Sequence, residues 1–174
     1  IKGVTTKKGG KIPADIFVSN IDPKQTFFSL LDKNSVDNSY LRRIENMKES
    51  VSFFLLYLGL DNKIDLKGLK RGFYHTSNNL SFSSSDWFYI SVPTEVDPSL
   101  APDNKQIISV VVSSRDNYDD IDDWVAYKDK MKKHTINYLE NFVPEIQDHI
   151  EVIDAATPKT LYRYTLNSKG AAYG

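Results

Sequence analysis

The chain has 174 residues, 40% of them apolar and 12% aromatic, with a formal net charge of -1 and no cysteine. That is enough for one sizeable core and cramped for two domains, and the composition is globular rather than disordered. The charge balance offers nucleic acid no basic face, and without cysteine there can be no disulfide, Cys-type zinc site or thiol nucleophile. No run of residues approaches the ~20 apolar positions that span a bilayer.

Residues 1–6 and 11–18 read as two strands joined by the hairpin connection Lys7-Lys8-Gly9-Gly10. In the second, Ile12, Ala14, Ile16 and Val18 share one face and Phe17 adds to the other. Asp22-Pro23 follow as an N-cap and a proline at the first helical position, opening a short helix over 22–32. Ser35-Val36-Asp37 cap a second helix, with Tyr40, Ile44 and Met47 as its buried stripe and Arg42, Arg43 and Glu45 outward. Residues 51–58 form the most hydrophobic strand, with Phe53, Leu55 and Tyr57 on one face and Phe54, Leu56 and Leu58 on the other. Both faces are apolar, so both are expected to be covered and the strand to be central in its sheet.

A polar connection over 59–70 leads to a short strand at Phe73-Tyr74-His75, and 77–85 reads as a loop. A strand over 87–92, a turn-rich link over 93–102 and a Val/Ile strand over 106–113 come next. Asp116, Asp119, Asp120, Asp122 and Asp123 precede a long helix over about 122–142, ended by Pro144, with Lys128, Lys130, Lys132 and Lys133 later in it. Residues 150–155 are a last strand and 162–173 an irregular tail. The fold class is α+β: a mixed, mostly antiparallel sheet of five to seven strands covered by helices, with an N-terminal β-hairpin.

His75, His134 and His149 have no metal-like spacing, and the acidic run around Asp119 lacks the alternating ligands and central Gly of a calcium loop. A solvated, dipole-favoured helix start explains that run. The serines at 81–85 have no nucleophile elbow, and neither G-x-G-x-x-G nor G-x-x-x-x-G-K-[ST] occurs. Phe53, Phe54, Tyr57, Phe73, Trp87, Phe88 and Tyr89 concentrate in the expected sheet. Core packing accounts for aromatics in such positions; a large apolar ligand on one sheet face is the sharper alternative.

Several segments resemble, in matching order, the middle of the phytoene desaturase-like flavoproteins, which include carotenoid desaturases, carotenoid isomerases and retinol saturases. They are Lys11-Ile12-Pro13-Ala14-Asp15-Ile16-Phe17-Val18-Ser19-Asn20-Ile21-Asp22-Pro23, Phe54-Leu55-Leu56-Tyr57-Leu58-Gly59-Leu60-Asp61, Ile90-Ser91-Val92-Pro93-Thr94 and Asp97-Pro98-Ser99-Leu100-Ala101-Pro102. Near the end, Thr157-Pro158-Lys159-Thr160-Leu161, Arg163-Tyr164-Thr165 and Gly170-Ala171-Ala172-Tyr173-Gly174 match as well. In that family an N-terminal dinucleotide unit and a C-terminal glycine-rich segment hold FAD, and the region between binds a long polyene or isoprenoid. The flavin supplies the chemistry, and the protein supplies orientation and a dry channel.

The resemblance therefore implies a substrate-binding part of an FAD-dependent oxidoreductase that desaturates, saturates or isomerises an apolar polyene. It implies residues 1–20 as a stub of the FAD-binding domain, 21–170 as the substrate-binding domain and 171–174 as the return to the first. The chain by itself is expected to hold no flavin and to be inactive, its partners being the polyene and the FAD-binding domain. A cytoplasmic location with peripheral membrane contact is expected, although no amphipathic surface helix stands out. Phe53, Leu55, Tyr57 and Tyr89 are the candidate substrate-facing residues, with the opposite parity of the strand as the alternative. The rival function is a non-catalytic apolar-ligand or interaction module, for which no G-x-G-x-x-G would lie upstream in the parent gene.

Overall fold

The computed structural model describes residues 1–66, 69, 72–75, 87–114 and 116–173; the loop expected over 77–85 and Gly174 lie outside them. The chain divides into two compact units, Ile1–Met47 and Lys48–Gly174.

In the first unit the hairpin forms but is short. Strands β1 (Val4–Thr5) and β2 (Lys11–Ile12) pair antiparallel, Val4 opposite Ile12. Gly9, at φ 83°, lets the turn close through its amide on the Thr6 carbonyl at 2.9 Å. The expected strand over 11–18 ends at Ile12, because Pro13 has no N–H to donate and, among the described residues, no third strand pairs beside it. Ile16 and Val18 stand 83% and 90% exposed. Asp22 caps helix α1 (Pro23–Gln25), accepting from the Lys24 and Gln25 amides at 2.6 and 3.3 Å. The expected helix over 22–32 is broken: α1 passes into a π-helical turn at Thr26–Leu30.

Asp37 caps helix α2 (Asn38–Glu45) as its sequence anticipates. The stripe differs, since Leu41 and Ile44 are buried while Tyr40 and Met47 are about half exposed. Met47 lies past the helix end and shares no face with it, and Tyr40 instead stands edge-on to Phe27 at 5.1 Å.

The second unit is a five-stranded antiparallel sheet in the order β4-β5-β6-β3-β7. The strands are β3 (Ser52–Asp61), β4 (Gly72–His75), β5 (Trp87–Ser91), β6 (Lys105–Ser114) and β7 (Ile150–Ala156). β3 pairs along its whole length with β6, Phe54 opposite Val112 and Leu58 opposite Ile108. Helix α3 (Pro93–Val96) lies in the link between β5 and β6. The connection after β3 is less polar than its composition suggests, because Ile64, Leu66 and Leu69 enter the core.

Helix α4 (Trp124–Leu139) is capped by Asp123, whose carboxylate accepts from the Val125 and Ala126 amides at 2.9 and 3.0 Å. It ends at Leu139, short of Pro144: a tight turn puts the Phe142 amide on the Leu139 carbonyl and the Phe142 ring 5.8 Å from Phe88. Met131, Ile136 and Leu139 of α4 join Phe54, Leu56, Leu58, Leu60, Phe88, Ile90, Val110 and Val112 in the core. Amid them the Thr135 hydroxyl is buried and makes no hydrogen bond. Thr135→Val is expected to raise stability by about 1 kcal/mol, because it removes a desolvated, unsatisfied donor at nearly constant shape. A urea titration reads this, and a lowered midpoint would refute it.

Helix α5 (Pro158–Thr165) runs into the start of the tail expected to be irregular over 162–173. Its start is built by Thr157 and Thr160, which cap each other's amides, with Pro158 at the first helical position. Beyond it the chain docks on the start of β3: the Ser52 hydroxyl donates to the Gly170 carbonyl at 2.5 Å and the Ala172 amide to the Val51 carbonyl at 3.0 Å.

Candidate functional site: the half-open face of the sheet

Side chains alternate across a strand, so each face of β3 can be followed separately. Phe54, Leu56, Leu58 and Leu60 are at most 1% exposed. On the other face Phe53 and Leu55 are half-buried and Tyr57 is 42% exposed. The expectation that both faces would be fully covered is therefore corrected: the helical layer of the described residues buries one face.

Strand pairing assembles the second face from three strands, β3, β6 and β5. Leu55 sits opposite Val111, and Val111 opposite Tyr89, so Tyr89, Val111 and Leu55 make one row across the sheet. Tyr57 and Ser109 lie in the next row and Gly59 and Ile107 in the one after. At one end Phe53 is flanked edge-on by Trp87 at 6.2 Å and Tyr173 at 6.1 Å. At the other, Tyr57, Gly59, Leu100, Pro102, Ile107 and Val152 line a cleft of about 350 Å³. Gly59 lets Val152 pack close beside it, since a Cβ there would stand 3.2 Å from the Val152 Cβ. From Phe53 to Gly59 the strip runs six residue steps, about 20 Å at the rise of an antiparallel strand.

All four residues singled out from the sequence, Phe53, Leu55, Tyr57 and Tyr89, fall on this face. Sequence reasoning missed Val111, Ile107 and Val152, whose place depends on strand register. Gly59 carried a signal, because a glycine inside a strand marks a close approach of something to its backbone.

Several polar groups elsewhere in this unit have structural partners. His149 Nδ1 lies 2.9 Å from Asp61 Oδ1, tying the start of β7 to the end of β3. The Lys63 amide, and after it His149, hold the Asp61 carboxyl below the usual carboxylate range. Asp116 accepts from the Tyr127 hydroxyl at 2.9 Å, and burial pushes that phenol well above its ordinary pKa. Asp119 pairs with Lys169. Asp116, Asp119 and Asp123 of the acidic run thus have structural roles, and the described residues contain no cluster of three or more candidate metal ligands.

The flavin that the resemblance implies needs a glycine-rich turn from a strand into a helix N-terminus to hold its pyrophosphate. Among the described residues no strand enters a helix through such a turn. Gly170 is packed against its own chain, where a Cβ would lie 2.0 Å from the Pro158 carbonyl oxygen. These residues do not fit FAD. Among the described residues no helix is long and apolar enough to cross a membrane.

No family model matches the chain. It is 25% identical over 99% of its length to a zeta-carotene-forming phytoene desaturase of Myxococcus xanthus, covering 35% of that protein. It is 28% identical, also over 99%, to a chloroplastic prolycopene isomerase of Daucus carota, covering 29% of it. In fold it is similar to an oxidoreductase from Methanosarcina mazei, with a TM-score of 0.58 at 16% identity, over 88% of this chain and 33% of that one. The chain thus spans about a third of the length of the curated relatives it matches. The resemblance carried by its motifs is a relationship along nearly all of its length: the chain is a homologue of one segment of the phytoene desaturase-like proteins.

Proposed function

We propose that the half-open sheet face binds a long apolar polyene or isoprenoid, as the substrate-binding part of an FAD-dependent oxidoreductase. The observation that carries this is the shape of the apolar strip: it runs about 20 Å along β3, with aromatics at one end and a cleft at the other. A compact ligand would use a fraction of it, whereas an extended chain could lie along all of it. The names of the relatives, desaturase and isomerase of carotenoids, support the same reading. Phe53, Leu55, Tyr57 and Tyr89 would form the bed. In the whole protein, FAD would be held by segments other than 21–170, with residues 1–20 and 171–174 belonging to its domain, and the chemistry would be desaturation, saturation or isomerisation. The chain alone would be inactive.

The test uses diphenylhexatriene, a rod-shaped hydrocarbon polyene whose emission rises in apolar surroundings. Titrated with the chain it should bind saturably, and Leu55→Glu should weaken binding at least tenfold with far-UV circular dichroism unchanged, since a carboxylate would sit under the ligand. Equal affinity in the two proteins would remove the strip from consideration.

A further inference from the structure

We propose that the ion pair between Lys105 and Glu151 reads the end group of the bound chain and selects a neutral hydroxyl. This rests on the reading of the strip as an apolar-chain site and adds what its end recognises. Lys105 opens β6 and Glu151 belongs to β7, the two strands that flank β3. The register of β3 with β7 slips between Gly59 and Leu60, where Ile150 pairs with Leu60 and Val152 with Gly59. Glu151 is thereby the extra residue of a bulge, a device that re-aims a side chain. Its Oε1 meets Lys105 Nζ at 2.6 Å, so the pair spans the end of β3 beside the cleft that both residues line.

Two other polar side chains of the cleft, Gln106 and Asp154, are engaged elsewhere. The Gln106 amide donates to the Ile64 and Asp61 carbonyls at 3.1 and 3.5 Å. Asp154 is 79% exposed and faces Lys128 at 3.7 Å. The apolar strip therefore ends on one compensated charge pair. Each member keeps spare capacity, because an ammonium has three donors and a carboxylate about four acceptor sites. A carboxylate end group would have to compete with Glu151 for Lys105, and an ammonium with Lys105 for Glu151. A hydrocarbon end would desolvate the half-exposed pair and return no hydrogen bond. A hydroxyl can accept from Nζ and donate to the carboxylate without displacing either.

The test is displacement of diphenylhexatriene by geranylgeraniol, by the hydrocarbon of the same skeleton and by geranylgeranoic acid. The alcohol should displace at a concentration about tenfold lower than either, the size of a hydrogen bond to a charged group. In Lys105→Met and in Glu151→Leu the ratio of alcohol to hydrocarbon should fall to about one. A ratio the variants leave unchanged, or a preference for the acid in the unaltered chain, overturns the end-group assignment while the strip reading stands. If diphenylhexatriene does not bind, or binds as well to Leu55→Glu, the strip reading fails and the end-group assignment falls with it.

Discussion

Gly170→Ala should be among the most destabilising single substitutions in the second unit, lowering stability by about 2–5 kcal/mol. Two costs combine. Gly170 has a φ of +69°, where an L side chain costs about 1–2 kcal/mol. Its missing Cβ would also fall 2.0 Å from the Pro158 carbonyl oxygen and 2.7 Å from its carbon. That neighbour is backbone at the first turn of α5 and cannot turn aside, so overpacking adds about 1–3 kcal/mol. The shift needed to relieve it disturbs what this segment holds, including the Ser52–Gly170 and Val51–Ala172 hydrogen bonds and the Tyr173 ring on Phe53. The urea midpoint should fall accordingly, and diphenylhexatriene binding should weaken with it. A midpoint within error of the unaltered chain would show that the packing against Pro158 is not tight.

Phe54→Ala is expected to cost about 3–5 kcal/mol, because its ring is fully buried at the centre of the core and leaves a cavity when removed. Its neighbour in sequence should behave differently. Phe53 is half-buried on the opposite face between Trp87 and Tyr173, so Phe53→Ala should cost about 1–2 kcal/mol of stability. Its larger effect should be on ligand affinity, about tenfold at 1.4 kcal/mol. Conversely, Phe54→Ala, measured at a temperature where it stays folded, should bind diphenylhexatriene within about twofold of the unaltered chain. Comparable losses of stability from the two substitutions would mean that the sheet is buried on both faces in solution.

Much of the local structure was legible because its causes are local. Asp22-Pro23, Asp37 and Asp123 each start a helix where their short acceptor side chains can reach orphan amides. The alternation of β3 grouped its two faces correctly. Thr157-Pro158 carried the same kind of signal for α5, yet the polar composition after it concealed an eight-residue helix. Tyr40 and Met47 show the opposite failure: apolar spacing alone cannot say where a helix stops or which of two adjacent stripes finds a partner.

By itself, the sequence determined the α+β class, the strands that carry the aromatics and the parity that groups Phe53, Leu55 and Tyr57. It could not choose between their face and that of Phe54, Leu56 and Leu58, since both are apolar and period-two alternation is symmetric between them. Tertiary structure decided that by laying Met131, Ile136 and Leu139 of α4 on one face. It also decided the order β4-β5-β6-β3-β7, which brings Tyr89, Val111 and Leu55 into one row and carries Lys105 and Glu151 to the two sides of β3. Those neighbours are 22 to 56 positions apart in the chain, so only long-range pairing and packing could select them.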